Sequence, residues 1–249
     1  MAYALKFGSY TLPATFAPRS DNRQAIAQAS QLPRMDGGTV STRRLTPKSM
    51  SVQGGISSSF GNSAIQTQVD TMLTSLQGIQ DLYLLRDDRY YRNATMANYS
   101  VDYDQNSVTR YAMMNLEFRT GDPFQYSTTL TSAAAGTPAV SPINKTLTPT
   151  GNAPSLPKFT ITATSATSVA ITLTNSTTGE TCTLTGTVPL SSDIVVDSLL
   201  KTVTISGVDY MSLFEGVFPT LAVGSNSVVV SWTGGGSYAV ASEYRNRWY

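Results

Sequence analysis

Residues 112–119 read AMMNLEFR, and one backbone geometry sorts them cleanly. In an extended strand successive side chains point to opposite faces, so Met114, Leu116 and Phe118 share one face while Met113 and Asn115 share the other. This is the pattern of a strand with one buried face. Working outward, residues 4–7, 39–45, 48–55, 82–86 and, with a break, 90–104 also read as strands. One stretch has a different period: Ile65, Val69, Met72, Leu73 and Leu76 fall at i, i+4, i+7, i+8 and i+11, the spacing of a single helix face. The helix is expected from about Asn62 to Gln77, with Asn62 or Ser63 as its cap and Gly78 at its end. One helix packed on antiparallel sheet is the economical arrangement for the first part of the chain.

Farther along the pattern becomes almost wholly strand-like, with runs at 159–163, 169–173, 181–188, 194–197, 202–205 and 227–233 separated by Gly, Asn, Ser and Pro turns. Short strands at this spacing indicate a β-sandwich. Composition changes at the same place: residues 1–128 hold 12 basic and 10 acidic side chains, whereas 129–238 hold 3 and 5. Prolines 138, 142, 149, 154 and 157 oppose helix and interrupt any ladder, so 131–153 reads as an extended linker or a weakly paired edge. After Gly234, Gly235 and Gly236 the chain turns charged and aromatic again. The segment 238–249 is therefore expected to return to the first domain, placing Val240, Ser242, Tyr244, Asn246 and Trp248 inward and Arg245 and Arg247 outward. The expected fold class is mainly β with one helix. Its domains are residues 1–130 completed by 238–249, a linker at 131–153, and an inserted antiparallel β-sandwich at 154–237.

The composition excludes several chemistries. With no histidine and one cysteine, Cys182, neither an imidazole-based triad nor a multi-ligand zinc site nor an internal disulfide can form. No cofactor or metal is expected, and no enzyme activity. A formal charge of +1 gives no global field toward a phosphate backbone or an anionic membrane. The opening residues lack the apolar core of a secretory signal and no stretch is long and apolar enough to span a bilayer, so synthesis in a cytoplasm without membrane insertion is expected. Four matches to the glycosylation sequon are then chance matches in a Ser/Thr-rich chain.

Several segments, in order, carry a family resemblance: Asp88-Arg89-Tyr90-Tyr91, Gly121-Asp122-Pro123-Phe124, Phe218-Pro219-Thr220-Leu221 ahead of Gly224-Ser225-Asn226, and the closing Glu243-Tyr244-Arg245-Asn246-Arg247-Trp248-Tyr249. Together they resemble the distal tail proteins of siphophages. That resemblance implies a first domain related to tail-tube subunits and assembling into a six-fold ring, with a galectin-like sandwich inserted in it. It implies a tail-tube protein on one face of the ring and hub, tail-fibre or receptor-binding proteins on the other. DNA would pass through the lumen without sequence preference, at the distal end of the virion tail. A carbohydrate-binding baseplate module and a tail-tube subunit are the alternatives.

The residues singled out are weighed on that background. Arg86, Asp87, Asp88 and Arg89 form the densest charge cluster; as strand neighbours the two carboxylates would diverge, so a solvated turn or an assembly contact is expected rather than acid–base chemistry. Arg245, Arg247 and Trp248 are the other assembly candidates. Arg43 and Arg44 are candidates for the lumen, where phosphate contact would be weak and non-specific. Asp102 and Asp104 share a strand face but supply too few ligands for a cation. Trp232 is expected in the core, and Trp248 and Tyr249 in a docked terminus. Tyr210, Phe214 and Tyr238 are the aromatics available for sugar stacking, with Phe218 beside them, although packing is the simpler role.

Overall fold

The computed structural model describes residues 4–22, 25–26, 29–31, 38–40, 44–58, 62–85, 87–103, 110–165, 170–186, 192–234 and 236–249. They divide into two compact units, 1–126 and 127–249.

The first unit contains β1 (Leu5–Phe7), β2 (Tyr10–Thr11), β3 (Ala17–Asn22), β4 (Ala25–Ile26), β5 (Ala29–Gln31), β6 (Gly38–Val40), β7 (Arg44–Leu45), β8 (Lys48–Ser58), α1 (Asn62–Ser75), β9 (Ile79–Leu84), β10 (Arg89–Tyr103), β11 (Arg110–Thr120) and β12 (Gln125–Ser127). Its main sheet runs β2-β1-β9-β10-β11-β8-β3, with β12 against β10. The alternation that began the sequence reading is obeyed: Met114, Leu116 and Phe118 are buried, and in the facing register so are Val52 opposite Leu116 and Met50 opposite Phe118. Phe7 of β1 lies 5.4 Å from Phe118, ring to ring, so β1 closes over the same core. The helix buries Ile65, Val69, Met72 and Leu76, the expected stripe with Leu73 at its rim, against β8 and β11. Its outer hydroxyls bond back one turn, Thr71 to the Thr67 carbonyl and Ser75 to the Thr71 carbonyl, both at 2.8 Å or less, so they need no tertiary partner. Gly78, at φ 85°, takes the left-handed turn that ends it.

The second unit contains β13 (Thr131–Ala133), β14 (Ile143–Leu147), β15 (Lys158–Ser165), β16 (Ala170–Asn175), β17 (Glu180–Thr185), β18 (Asp193–Asp197), β19 (Thr202–Ile205), β20 (Val208–Asp209), a single 3₁₀ turn (Met211–Leu213), β21 (Phe214–Gly216), β22 (Asn226–Thr233), β23 (Ser237–Tyr244) and β24 (Arg247–Trp248). Two antiparallel sheets, β13-β23-β15-β18-β19-β20 and β14-β22-β16-β17-β21, share a core that includes Phe159, Ile161, Val196 and Val240 from one and Leu173, Val228, Val230 and Trp232 from the other. The expected class, mainly β with one helix, is the observed one.

Two parts of the expected domain division are corrected. Residues 131–153 are not a linker: β13 and β14 form one edge of each sheet of the sandwich, which agrees with the weakly paired alternative. Nor do residues 238–244, in β23, return to the first unit. β23 lies between β13 and β15, with Val240 opposite Ile161 and the Glu243 carboxylate 2.6 Å from the Lys158 ammonium. The reason is the pattern itself, since Tyr238, Val240, Ser242 and Tyr244 form a buried row that fits the sandwich core. The chain passes from β22 in one sheet to β23 in the other. The second unit is thus contiguous in sequence rather than inserted.

Candidate assembly surface

The outward faces of β3, β8, β10 and β11 follow from the same alternation that buries their partners. Ser49, Ser51 and Gln53 of β8 lie beside Arg119, Glu117 and Asn115 of β11, and Asn98 and Ser100 of β10 continue the rows through Glu117 and Asn115. Ser20 of β3 extends the Ser51 row on the other side. Together with Tyr99 and Leu116 these strands form an open groove of about 290 Å³. Its groups bond one another: Ser20 and Ser51 at 2.8 Å, the Asn115 amide donating to Ser100 at 3.3 Å, and the Arg119 guanidinium 3.0 Å from the Glu117 carboxylate.

Both ends of this four-strand stretch are strand edges. Pairing of β10 with β9 ends at Thr95 opposite Ile79, while pairing with β11 runs on to Tyr103 opposite Ala112. β12 lies at the other end of β10, where Gln125 meets Tyr91 and Arg89. From Asn98 to Tyr103, then, β10 is an edge among the described residues, and β3 is the opposite one. Tyr99 and Tyr103 stand on the core side, level with fully buried Leu116 and Ala112, yet are 50% and 41% exposed. The edge leaves their rings uncovered.

The charge cluster falls in the turn between β9 and β10. Asp87 and Asp88 are exposed there, Asp88 at φ 51°, and Arg89 opens β10 with a 3.2 Å bond from Nη1 to the Gln125 amide oxygen. Arg86, Arg43 and Asp104 lie outside the described residues. Arg44 opens β7 opposite Ile26 of β4. Asp102 is exposed on the β10 edge.

Arg245 and Arg247 belong to the second unit. The expected outward face holds only in part. Arg245 is half-buried and its Nη1 donates to the Ser127 carbonyl at 3.0 Å and to the Thr128 carbonyl. Arg247 is 7% exposed, because strand alternation breaks after Tyr244, and its Nη1 donates to the Pro154 carbonyl at 2.9 Å. Each arginine holds a strand end in place through a charge-assisted bond. The terminus is docked as expected: Ala153 donates to the Arg247 carbonyl and Tyr249 N–H to the Asn152 side chain, with Trp248 half-buried.

The sugar-stacking set does not assemble. Tyr238 is completely buried, 4.5 Å from the Trp232 ring. Phe214 stacks on Phe218 at 4.2 Å, which covers one of its faces, and Tyr210 is half-buried at the 3₁₀ turn. Burial pushes the Cys182 thiol up to about 11, against a lowering backbone bond with Leu173. Among the described residues no group of three or more His, Cys, Asp or Glu could hold a metal, and no helix is long and apolar enough to cross a membrane.

One cluster went unnoticed in the sequence. Lys48 is buried, its ammonium donating to the Tyr91 hydroxyl and lying 4.2 Å from that ring, and the Gln125 amide donates to the same hydroxyl. Parity could have found it, since Lys48 shares the inward side of β8 with Met50 and Val52.

The second unit carries the deciding likeness: residues 150–248 match the model of the siphovirus-type tail component, C-terminal domain. The fold likeness extends beyond that tail component domain. The crystal structure of Dit (gp 19.1) from phage SPP1, described as a paradigm of the hub adsorption apparatus in phages infecting Gram-positive bacteria, aligns with a TM-score of 0.77 over 99% of each chain at 12% identity. The activated baseplate of phage p2 with Sr aligns over 98% of this chain and 97% of that one, at 8% identity and a TM-score of 0.47. None of the curated proteins matches the sequence.

Proposed function

We propose that this chain is a structural subunit at the distal end of a siphophage tail, assembled as a ring that joins the tail tube to the hub and host-recognition proteins. The observation that carries the reading is the full-length likeness to the SPP1 Dit fold, together with the tail component domain over 150–248. The edges of the first unit support the ring. Strands β10, β11, β8 and β3 alternate in direction, so a neighbour's β10 would meet β3 antiparallel, the favourable sense, and the same contact repeats head to tail until the rotation closes. Asp102 on one edge and Arg19 on the other are of opposite sign, which favours that order of neighbours. Pairing of this kind removes two aggregation-prone edges at once.

The ring is taken as six-fold, with DNA crossing its lumen and no catalytic step assigned to any residue. The exposed turn at Asp87, Asp88 and Arg89 remains a candidate contact to a neighbouring protein. Electron microscopy of the purified protein and of tail tips, combined with light scattering, tests the proposal. Closed rings located at the tail tip are expected; a protein that stays monomeric at every concentration, or that lies elsewhere on the virion, would overturn it.

A further inference from the structure

We infer that the first unit closes itself with a covalent bond, an isopeptide between the Lys48 amine and the Gln125 carboxamide, formed in the folded chain with loss of ammonia. The groups concerned stand together and out of water: Lys48, Tyr91 and Gln125 are 3%, 1% and 5% exposed. Lys48 Nζ and Gln125 Nε2 both donate to the Tyr91 hydroxyl, the second at 2.5 Å. Two donors on one oxygen keep the amine and the amide nitrogen within about 6 Å of each other. The carboxamide is also held at its oxygen, where Arg89 Nη1 donates to Gln125 Oε1 at 3.2 Å. Strand parity supplies the parts: Lys48 shares the inward side of β8 with Met50 and Val52, and Tyr91 stands level with buried Leu82.

These groups are what an aminolysis needs. Nζ attacks Cδ of Gln125, and the Arg89 guanidinium stabilises the negative charge that develops on Oε1. Tyr91 takes the proton from Nζ and passes its own to Nε2, so the leaving nitrogen departs as ammonia. The Nζ–Cδ bond forms as the Cδ–Nε2 bond breaks; nothing is oxidised and no other reactant enters. Burial serves the step twice. A lysine out of water is costly to keep charged, which favours the amine that attacks, and water is kept from the carboxamide. A cavity of about 10 Å³ bordered by Lys48, Tyr91 and Thr120 has room for one molecule the size of water, and so for the ammonia. Its escape makes the bond permanent. The link joins β8 to β12 and closes the chain from 48 to 125 into a loop, as a disulfide would; the single cysteine leaves no internal disulfide to do so. It is a maturation step, made once in each chain, and it does not depend on the ring.

Mass spectrometry of the full-length protein, unfolded after purification, tests the bond. The chain should weigh one ammonia less than its sequence, and proteolysis should yield a branched peptide in which Lys48 is joined to Gln125. A chain of full sequence mass, or an ammonia loss located at other residues, would overturn the inference while leaving the ring reading standing. Lys48→Arg and Gln125→Leu should each restore the full mass, and an ammonia loss that persists in either would also overturn it. Should these variants fail to fold, the branched peptide from the unaltered chain decides alone. Tyr91→Phe keeps the ring but not the proton relay, so the rate at which linked chain appears after a pulse of synthesis should fall at least about tenfold. An unchanged rate would overturn the route through Tyr91.

Discussion

In the second unit three of the four edge strands carry a charge: β20 has Asp209, β21 has Glu215, and Lys145 of β14 donates to the Ala134 carbonyl at 3.0 Å. In the first unit β10 runs on past its β9 partner and leaves two tyrosines half uncovered. Charged edge residues keep a sheet from pairing with other chains; residues 98–101 carry none, and the charges beyond them, Asp102 on β10 and Arg19 on β3, are of opposite sign and would admit one another. The contrast separates a sandwich whose two sheets share one core from a sheet that, on the proposed ring reading, would be completed by its copies. It also explains where the polar bonding is spent. In the sandwich, buried Asn175 and Asn226 tie three loops together: Asn226 Nδ2 donates to the Ala222 and Gly224 carbonyls at 2.8 and 2.9 Å, and Asn175 Nδ2 donates to Asn226 Oδ1 at 3.2 Å and to the Thr220 carbonyl. Glu180 adds a carboxylate that accepts from the Thr220 N–H and hydroxyl.

The largest test of this contrast is Leu76→Asp. Leu76 is fully buried beneath α1, and a carboxylate there must either ionise without compensation or push the helix away, at a cost of about 4 kcal/mol or more. The first unit should lose its cooperative transition while residues 127–249 keep theirs, measured by hydrogen exchange resolved along the chain. Simultaneous loss of protection in both units would mean that they fold as one, and the contrast would fail.

A smaller effect is expected from Asn226→Leu, which is close to isosteric but removes an amide that bonds three loop segments. The Ala222 N–H and the carbonyls it served would be left to find water, at a cost of about 2–4 kcal/mol. Urea unfolding of the second unit should shift accordingly while the first stays unchanged. A change below about 0.5 kcal/mol would show that the loops are held by packing alone.

What the sequence disclosed follows the same division. Strands whose alternation is set by a single core, 112–119 and 48–55, are legible in their parity, as is the helix, because one burial gradient writes the whole pattern; only the ends differ, the strands running over 110–120 and 48–58 and the helix closing at Ser75. The edge strands β13 and β14 were harder: with one neighbour each and prolines between them, they carry little apolar signal. The path of 238–244 departs from the expected one because charge and aromatic content suggest kinship with the first unit, whereas the buried row from Tyr238 to Tyr244 decides the partner. Arg247 was expected outside because parity was extended through Asn246, and one irregular step after a strand end reverses every later face. The polar groove could not be seen at all as a unit, since its residues come from four strands spread over 98 positions of sequence and share only a face.

The finest test of the contrast costs the single chain almost nothing. Tyr99→Lys changes a half-exposed side chain whose ring lacks cover on the edge side, so the stability of the monomer should move by no more than about 0.5 kcal/mol. Across a closed ring the same position has a different meaning. A neighbour's β3 would lie against residues 98–103 and cover the Tyr99 and Tyr103 rings, making them the kind of buried aromatic anchor that dominates interface energetics. Lysine there would have to strip its ammonium of water inside the contact, and it is also the residue by which natural edges refuse partners. Ring formation should therefore fall at least tenfold with urea stability unchanged, and Tyr99→Phe should restore it, because the phenyl ring keeps the covered area. Rings that persist with lysine at this position would show that β10 is not the joining edge. Loss of monomer stability along with the rings would show that Tyr99 serves the core of its own unit, and the distinction between a completed and an incomplete sheet would have to be drawn elsewhere along β10.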